Sequence, residues 1–511
     1  MSNNKQLLLN FIAMAIAFLA NAAINFFLSG FIVNTVSEEA YGFIQLSNTF
    51  ITYFTIITIA INSMSSRYIS IEYYKGRINK ANEYYMSTLF ANLVITLITA
   101  PIILFAILNL EKLVQISPEL VLDVKILLAF LAGNLYLGLI TTNLSVSYYI
   151  KNKLYIQSVI NTLGYILKII LLIVLYKVFP PYVAIFGLVT FLVTGFTQML
   201  NVYYKYKLIP KIKLKISNMK LKSVKTLISA GIWNSITRIG NVLSEGLDLL
   251  VTNLFLGPEL MGILAIVKTI PNMISSALSN LVNIFMPGMT KLYAEEKREE
   301  LVKYIKKSMK YVGIFLNIPI ICVIVLGNVL FKLWYPTQDS ILLQVLSIIT
   351  ISQWIIIGPA SIMHNVFTVI NKIKVNSILI CITGFLNIIV VYFLLKYTNL
   401  GIFAVTTVSC IFSILRNLIY TLPYSAKYLG IKWYSFFPEI LRSMLSIVIN
   451  VIICYAVKII ITPTTWTSLI ITGFIVCIIT FIVNILVVFE KKDLLYLTQK
   501  ITKKGENVKN G

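Results

Sequence analysis

Fourteen apolar segments of about 20 residues or more follow one another along this 511-residue chain. As an α-helix, each is long enough to cross the roughly 30 Å hydrocarbon core of a bilayer. Because hydrocarbon offers no partners to backbone polar groups, a segment that crosses it must be a helix or part of a closed barrel. The sequence therefore predicts an all-α, polytopic membrane protein with about fourteen transmembrane helices. The predicted spans lie near residues 8–33, 42–66, 85–109, 124–149, 154–176, 182–204, 226–255, 260–286, 311–333, 341–369, 375–395, 399–422, 436–461 and 466–489.

Composition excludes a soluble protein. The chain is 58% hydrophobic and 12% charged, with a mean hydropathy of +0.87, and no segment between the spans is large enough for a soluble domain. All five cysteines lie in apolar segments, so no disulfide framework is indicated. The apolar segment that follows Lys5 is too long for the core of a signal peptide, and we interpret it as the first span.

The distribution of Lys and Arg predicts the orientation. If the N-terminus is inside, the inner segments hold about 32 of the 43 Lys and Arg residues and the outer loops hold about six. Positive residues collect in cytoplasmic loops, so both termini are expected to be cytoplasmic, in a multi-pass protein of the cytoplasmic (inner) membrane. The same topology explains the net charge of +24 without a nucleic-acid partner.

Three glycine-centred matches recur at one constant separation along the chain and indicate a duplication. Gly42 pairs with Gly262, Gly138 with Gly358, and Gly164 with Gly384. With six spans per copy the repeats are parallel, and a cavity is expected between two V-shaped lobes, with spans 13 and 14 outside the repeat. The predicted parts are an N-terminal lobe (1–204), a basic cytoplasmic linker (205–225), a C-terminal lobe (226–422), spans 13 and 14 (423–489) and a basic cytoplasmic tail (490–511).

Span 7 carries charged and polar residues inside an apolar segment, although ionised groups at bilayer depth are costly. Such residues normally face a bundle interior or a wet cavity and mark a transport path. The alternative interpretation is an internal salt-bridge stripe that only fixes helix packing. At about 100° per residue, six residues fall on one stripe roughly 80° wide: Asn234, Arg238, Asn241, Glu245, Asp248 and Thr252.

Adding the separation of the glycine pairs to a residue number in the first copy gives the aligned residue in the second copy. In this alignment, neutral residues of the first copy correspond to charged residues of the second. Asn25 aligns with Glu245, and Asn48 aligns with Lys268. Lys168 in span 5 is a further cation at membrane depth, whereas Lys268 has the alternative of extending to the outer headgroups.

These residues make up the predicted site. The cations Arg238, Lys268 and Lys168 are expected to bind substrate. Glu245 and Asp248 are expected either to bind a coupling ion or only to hold Arg238 in place. No metal site, cofactor or catalytic residue is predicted. The predicted polar lining of the cavity is Asn21, Asn25, Asn48, Thr52, Asn234, Asn241, Asn272 and Ser275.

Two cytoplasmic segments and two proline sites have further expectations. The linker holds eight lysines between apolar residues, which predicts either contact with the anionic inner leaflet or a topology anchor alone. Residues 291–310 are expected to form a separate surface helix. Gly358-Pro359 is expected to kink span 10, and Pro287-Gly288 to end or bend span 8.

The sequence contains no phosphate-binding Walker loop and no cluster typical of nucleophilic catalysis, so we expect no enzyme and no ATPase. Movement of a substrate would then depend on an ion gradient, with H⁺ or Na⁺ as coupling ion, on the membrane potential or on the substrate gradient. The outer loops are all short. Loops of this kind argue against a membrane polysaccharide polymerase or ligase, which needs an extensive external segment to hold its acceptor and catalytic groups.

The chain resembles the multidrug/oligosaccharidyl-lipid/polysaccharide exporter superfamily and, within it, the bacterial polysaccharide-type (Wzx-like) flippases. The resemblance rests on the 12 + 2 spans, the 6 + 6 repeat, the basic linker, and the patterns SEEAYGFIQL (37–46) and GPELMGILAI (257–266).

The resemblance implies alternating-access transfer of undecaprenyl-diphosphate-linked oligosaccharide repeat units to the outer leaflet. The units would be those of a lipopolysaccharide O-antigen, a capsule or another glycan. It also implies membrane lipids, a polysaccharide polymerase and chain-length machinery as partners. The lipid tail would slide along a groove beside spans 13 and 14. A flippase for the lipid-linked peptidoglycan precursor and a drug/cation antiporter are the related alternatives.

Overall fold

The computed structural model describes residues 3–370 and 372–489, and within these ranges it contains helices and no strand. Fourteen helices in these ranges are long and apolar enough to cross a membrane, which confirms the predicted all-α class and number of spans. In chain order, spans 1–14 are Ile12–Thr35, Glu38–Tyr74, Ile78–Leu108, Pro118–Ile150, Leu154–Val178, Ala184–Leu208, Leu221–Leu256, Pro258–Ala294, Arg298–Trp334, Ser340–Ala360, Ile373–Tyr397, Ile402–Tyr428, Phe437–Ile461 and Trp466–Val488. The first helix begins at Asn3, and the predicted tail 490–511 lies outside the described residues.

Several helices continue well beyond their apolar segments. Spans 2, 8 and 9 are each 37 residues long. Residues 291–310 form the C-terminal end of span 8 and the N-terminal start of span 9. The turn between the two helices contains Glu296, which has a φ of 57°. The expectation of a separate surface helix was therefore wrong, because hydropathy marks only the part of a helix that lies in hydrocarbon.

The two proline sites behave differently. Span 10 is broken into Ser340–Ser352, Trp354–Ala360 and a following helix, Ile362–Val369, so the helix is interrupted on both sides of Pro359. Span 8 instead runs as one helix through Pro287 to Ala294, so it does not end there, and the alternative expectation of a bend at Pro287-Gly288 stays a prediction. Neighbouring groups in a membrane protein can satisfy the carbonyl that a proline leaves free, which allows such a helix to continue.

The chain packs as two compact units. Of the described residues, the first unit comprises 3–266 with most of span 11 (377–389 and 395–402), and the second comprises 267–370, 372–376, 390–394 and 403–489. The first unit thus includes span 7, because this span packs on span 2. The predicted boundaries of the two repeats remain a prediction.

Packing within the units is similar in the two halves of the sequence. Span 1 packs on span 5, and span 7 packs on span 11; span 4 packs on span 6, and span 10 on span 12. The helix of span 4 is interrupted after Thr141, and that of span 10 at Ser361, the position that the glycine pairs align with Thr141. A Cβ atom on Gly42 would lie 2.9 Å from the Cα atom of Gly262. These observations support the predicted duplication.

Buried amides fix spans 13 and 14 to span 9 in the second unit. The Asn484 amide of span 14 accepts hydrogen bonds from Asn317 (3.2 Å) and Ser446 (2.5 Å), and it donates to the Ile314 carbonyl at 3.1 Å. The three polar side chains are 0–1% exposed. Polar groups buried in this way must keep their partners, so the network holds the three spans together.

The linker packs against spans 2 and 3 within the first unit. Ile209 and Ile212 are buried against spans 2 and 3. Lys205 is also buried, and its Nζ donates to the Ile212 carbonyl at 2.8 Å. Lys205 therefore does not belong to the predicted surface strip. The other seven lysines of the linker are exposed: Lys207, Lys211, Lys213, Lys215, Lys220, Lys222 and Lys225.

Glu83 of span 3 holds the end of this linker. Its buried carboxylate accepts from Lys80 Nζ at 2.7 Å and from the Ser223 hydroxyl, and it lies 3.4 Å from Lys220 Nζ. The backbone of Lys220 also exchanges hydrogen bonds with the Ser87 hydroxyl. One carboxylate thus joins span 3 to the start of span 7.

We expect Glu83→Ala to destabilise the protein by about 1–3 kcal/mol and to loosen the linker, because Lys220 and Ser223 lose a charged partner. Thermal unfolding in detergent and limited trypsin digestion at Lys211–Lys215 measure the two effects. Glu111→Ala, which removes a solvated pair with Lys125, is the control and should change neither. Equal digestion of both variants would contradict the assigned role of Glu83.

Candidate functional site

Span 7 is held against span 2 at very short distance. A Cβ atom on Gly231 would collide with the carbonyl oxygen of Ala60, so only glycine allows this approach. One turn later the Ser235 hydroxyl donates to the Ile56 carbonyl at 3.0 Å. The backbone contact determines which faces of span 7 remain uncovered.

Span 11 covers a second side of span 7. The Thr237 and Ser377 hydroxyls are 2.8 Å apart, and Cys381 Sγ lies 3.0 Å from the Ile236 carbonyl. A Cβ atom on Gly240 would lie 2.6 Å from Ile380, which again excludes a larger residue. Beyond its start, which contacts span 3, span 7 is therefore packed between spans 2 and 11.

The two uncovered faces of span 7 differ in polarity. One carries exposed Ile228, Ile232 and Ile239, as expected of a lipid-facing surface. The other, roughly 130° around the helix, carries Arg238 and Asn241. A charged and amide-bearing face is unsuited to hydrocarbon, so this second face is the candidate site.

Arg238 is half-buried on this polar face. Within residues 3–370 and 372–489 its guanidinium makes no hydrogen bond or ion pair. Asn234, on the preceding turn, donates to the Ser63 hydroxyl at 3.1 Å and fixes the helix beside it. The structure therefore gives no support to the alternative that Arg238 serves an internal salt-bridge stripe.

A π-helical segment, Val242–Gly246, follows Arg238 and changes the register of span 7. The Tyr53 hydroxyl donates to the Gly246 carbonyl at 2.6 Å, and the Asn387 amide donates to the Ser244 carbonyl at 2.9 Å. These bonds come from spans 2 and 11, so the wide turn is fixed on both sides. Such segments are frequent at functional sites.

The π-helical segment shortens the predicted polar stripe. Glu245 is exposed, whereas Asp248 is 7% and Thr252 0% exposed. One extra residue in a turn rotates everything after it by about 100°, so Asp248 and Thr252 turn into the first unit. The prediction of one continuous six-residue stripe was wrong beyond Glu245.

Span 8 in the second unit has a long polar exposed face. Six of its eight exposed residues between 272 and 290 carry a hydroxyl or an amide: Asn272, Ser276, Ser279, Asn280, Asn283 and Thr290. By contrast, span 3 exposes no polar side chain between Phe90 and Leu108. Span 3 therefore has the surface expected toward lipid, and span 8 the surface expected toward water.

The two other predicted cations lie in different surroundings. Lys168 is half-buried on span 5, and its Nζ lies 4.1 Å from the centroid of the Phe186 ring of span 6. Lys268 is half-buried ten residues after the start of span 8. Arg238 and Lys168 belong to the first unit and Lys268 to the second. The substrate-binding role of all three remains a prediction.

The predicted lining of the first copy is largely bonded to its own helices. Asn25 of span 1 is exposed and donates to the Asn21 side chain at 3.1 Å. Asn48 of span 2 donates to the Ile44 carbonyl at 2.9 Å, and Thr52 to the Asn48 carbonyl at 2.8 Å. In the second unit, Ser275 is half-buried and its carbonyl accepts from Ser279 at 3.0 Å.

Some residues of this region were missed by sequence reasoning. Ser276, Asn280 and Thr290 extend the polar face of span 8, and their helical spacing from Asn272 was a usable signal. Tyr53 and Asn387 hold the π-helical segment, which no sequence pattern identified. Across the described part of the chain, no group of three His, Cys, Asp or Glu side chains could hold a metal ion.

Comparison with known proteins places this chain in a family. The profile of the family described as "Polysaccharide biosynthesis protein" matches residues 7–293. The uncharacterized membrane protein EpsK of Bacillus subtilis (strain 168) is 26% identical over 505 residues, which cover 98% of this chain and 99% of that protein.

Two solved structures share the fold. The lipid II flippase MurJ, in an inward closed conformation, aligns with a TM-score of 0.64 and 15% identity over 93% of this chain and 98% of its own. A multidrug resistance MATE family transporter of the MOP superfamily, inward-facing, aligns with a TM-score of 0.63 and 14% identity over 83% of this chain and 98% of its own. Since the family profile covers more than half of the sequence, this chain belongs to the polysaccharide biosynthesis protein family, with the fold of MOP-superfamily transporters.

Proposed function

We propose that this chain transfers undecaprenyl-diphosphate-linked oligosaccharide repeat units from the inner to the outer leaflet of the cytoplasmic membrane by alternating access. Its family and fold are those of multi-pass membrane transporters and flippases, not of enzymes. The observation that carries the proposed cargo is Arg238, a cation on the polar face of span 7 with no partner among the described residues.

The chemistry of this cargo fits the polar faces. A diphosphate that leaves water needs fixed cations, and its sugars need hydroxyl and amide partners. Arg238 would bind the diphosphate, and Lys168 and Lys268 are the other cations for which we propose substrate binding, each within its own unit. The amides and hydroxyls on the polar face of span 7, and those on the polar face of span 8, would each offer partners to sugars. The lipid tail would stay in the membrane beside spans 13 and 14, whose surfaces are rich in exposed apolar residues.

Two related cargoes compete with this proposal. The fold of MurJ covers 93% of the chain, against 83% for the MATE transporter, which supports a lipid-linked cargo over a drug cation. A lipid-linked peptidoglycan precursor is thus the second candidate. The family match supports the polysaccharide cargo, destined for O-antigen, capsule or another glycan, with a polymerase and chain-length machinery as later partners.

We also propose that both termini are cytoplasmic, because the exposed lysines of the linker and about 32 of the 43 cationic residues then lie inside. With the native cysteines replaced, new cysteines on the outer side should react with an impermeant maleimide added to intact cells, and those inside should not. Labelling of the inner set alone would reverse the orientation. The outer positions are Glu39, Ser117 and Gln338, and the inner ones Gly76, Ser217 and Glu299.

Glu245 and Asp248 are proposed to bind the coupling cation, H⁺ or Na⁺. They flank the end of the π-helical segment, which changes the local direction of the backbone and turns one carboxylate outward and the other inward. A cation bound by the two carboxylates would favour one position of the part of span 7 that follows the π-helical segment. Binding of the cation would thereby couple the ion gradient to transfer of the cargo.

Arg238→Ala is expected to reduce cargo transfer about tenfold or more while membrane abundance stays normal, since a charge-assisted hydrogen bond contributes about 1.5–3 kcal/mol. Arg238→Lys should recover only part, because a point charge does not replace bidentate contact with phosphate. Transfer of a labelled lipid-linked oligosaccharide in proteoliposomes measures this.

The matched control is Arg77→Ala, which removes an exposed arginine that pairs with Glu72 at 2.6 Å. It should transfer cargo at the normal rate. If Arg238→Ala instead lowered the amount of folded protein and left transfer per molecule unchanged, Arg238 would be a packing residue.

Glu245→Gln is expected to abolish the dependence of transfer on an imposed ion gradient and to leave cargo affinity largely intact, because the amide cannot bind or release a proton and binds Na⁺ weakly. Transfer is measured in vesicles with imposed proton or sodium gradients. Asp248→Asn should act in the same direction.

Glu259→Gln, at an exposed position near the start of span 8, serves as the control and should keep the gradient dependence. A Glu245→Gln variant with altered cargo affinity and normal gradient dependence would show that Glu245 restrains Arg238 instead of binding an ion.

A further inference from the structure

The first unit contains a cavity of about 370 Å³ with almost wholly apolar walls. Span 2 contributes Phe43 and Phe50, spans 3 and 4 contribute Ala106 and Leu128, and the second half of span 7 contributes Leu250 and Leu254. The volume lies within the range of about 300–1,000 Å³ typical of ligand sites. It is also about twelve times the ~30 Å³ that one molecule of liquid water occupies.

The walls give water little to bind. Ser47 and Tyr53 are the only residues with a side-chain hydroxyl, amide or charge among those that line the cavity. The Tyr53 hydroxyl already donates to the Gly246 carbonyl at 2.6 Å. A buried water needs two to four polar partners, so this cavity favours an apolar occupant over a water cluster.

Polar residues next in the chain to the wall residues Val114 and Leu254 form a rim that is held by hydrogen bonds. The Gln115 N–H donates to Asn253 Oδ1 and the Asn253 amide donates to the Gln115 carbonyl, both at 2.8 Å, which fixes the loop between spans 3 and 4 to span 7. Two residues on, Ser117 donates to the Glu39 carboxylate with its N–H (3.0 Å) and its hydroxyl (2.7 Å). The loop is thus hydrogen-bonded to two spans. An empty cavity beside it would cost free energy in proportion to its volume.

We propose that this cavity binds the hydrocarbon chain of a membrane lipid. The walls consist largely of membrane spans. The polar rim of Glu39, Gln115, Ser117 and Asn253 lies at or near the ends of these spans, where lipid headgroups are expected to meet hydrocarbon. A chain can enter from the leaflet on that side with its headgroup beside the rim. Acyl chains of phospholipids and polyprenyl chains share this chemistry.

An occupant would act on the part of span 7 that follows the π-helical segment. Leu250 and Leu254 line the cavity on the same helix as Asp248, which is buried near the start of that half-helix. A bound chain would therefore stabilise the observed position of this half-helix. The lipid site does not depend on the identity of the transported cargo.

Photolabelling tests the proposal directly. A phospholipid with a diazirine in its acyl chain is added to the purified full-length protein, and labelled peptides are identified by mass spectrometry. Peptides that contain Phe50 or Leu250 should be labelled. Leu250→Trp and Leu128→Phe, which fill the cavity from two sides, should reduce this labelling about tenfold, the change that ~1.4 kcal/mol of lost binding produces.

Leu97→Trp is the matched control, since Leu97 is 74% exposed on span 3 and lies outside the cavity lining. It should leave labelling at Phe50 and Leu250 unchanged. Competition separates the two sources: loss of label with added polyprenyl phosphate assigns a polyprenyl chain, and loss with unlabelled phospholipid alone assigns an acyl chain. Absence of label in the wild type, or equal label in folded cavity-filling variants, would overturn the proposal.

Discussion

The close backbone contact between spans 7 and 2 determines the rest of the candidate site. Gly231 lies so near the Ala60 carbonyl that no larger residue fits, and on the other side Gly240 lies close to Ile380 of span 11, which also excludes a larger residue. A helix packed between two neighbours in this way has two remaining faces. One is apolar and suits lipid, and the other holds Arg238 and Asn241. Because this second face is polar and charge is costly in hydrocarbon, it is the face at which we propose that a polar cargo contacts the protein.

The two proposed sequence copies differ in charge and in backbone geometry at the same place. Where span 7 has the π-helical segment Val242–Gly246, the corresponding part of span 1 is a continuous α-helix. The charged residue Glu245 lies in this segment, whereas the aligned Asn25 is neutral and bonds to Asn21. The second copy thus has both the ionisable groups and the wide turn that separates Glu245 from Asp248. This combination supports ion coupling through span 7, because the turn and the acids belong to the same few residues.

Much of this structure could be predicted from the sequence, and the failures have physical causes. The apolar segments predicted all fourteen spans, and the charged residues of span 7 indicated Arg238 correctly as part of a polar face. The position of Asp248 could not be predicted, because a π-helical turn rotates a helix without a recognisable sequence pattern. Lys205 was assigned to a surface strip by composition alone, yet packing on span 3 buries it. Whether such a lysine is buried depends on tertiary contacts, which composition does not reveal.

We propose, as the central claim, that a polar cargo with a lipid tail crosses the membrane along the polar face of span 7. The most direct measurement is reconstitution of the purified chain in vesicles with a polyprenyl-diphosphate-linked oligosaccharide in one leaflet, followed by the rate at which the sugar becomes accessible to an impermeant lectin in the other. The account predicts transfer that requires the protein and the diphosphate-linked sugar and that leaves drug cations such as ethidium untransported. Transport of ethidium by correctly inserted protein that leaves the lipid-linked sugar in its original leaflet would contradict it.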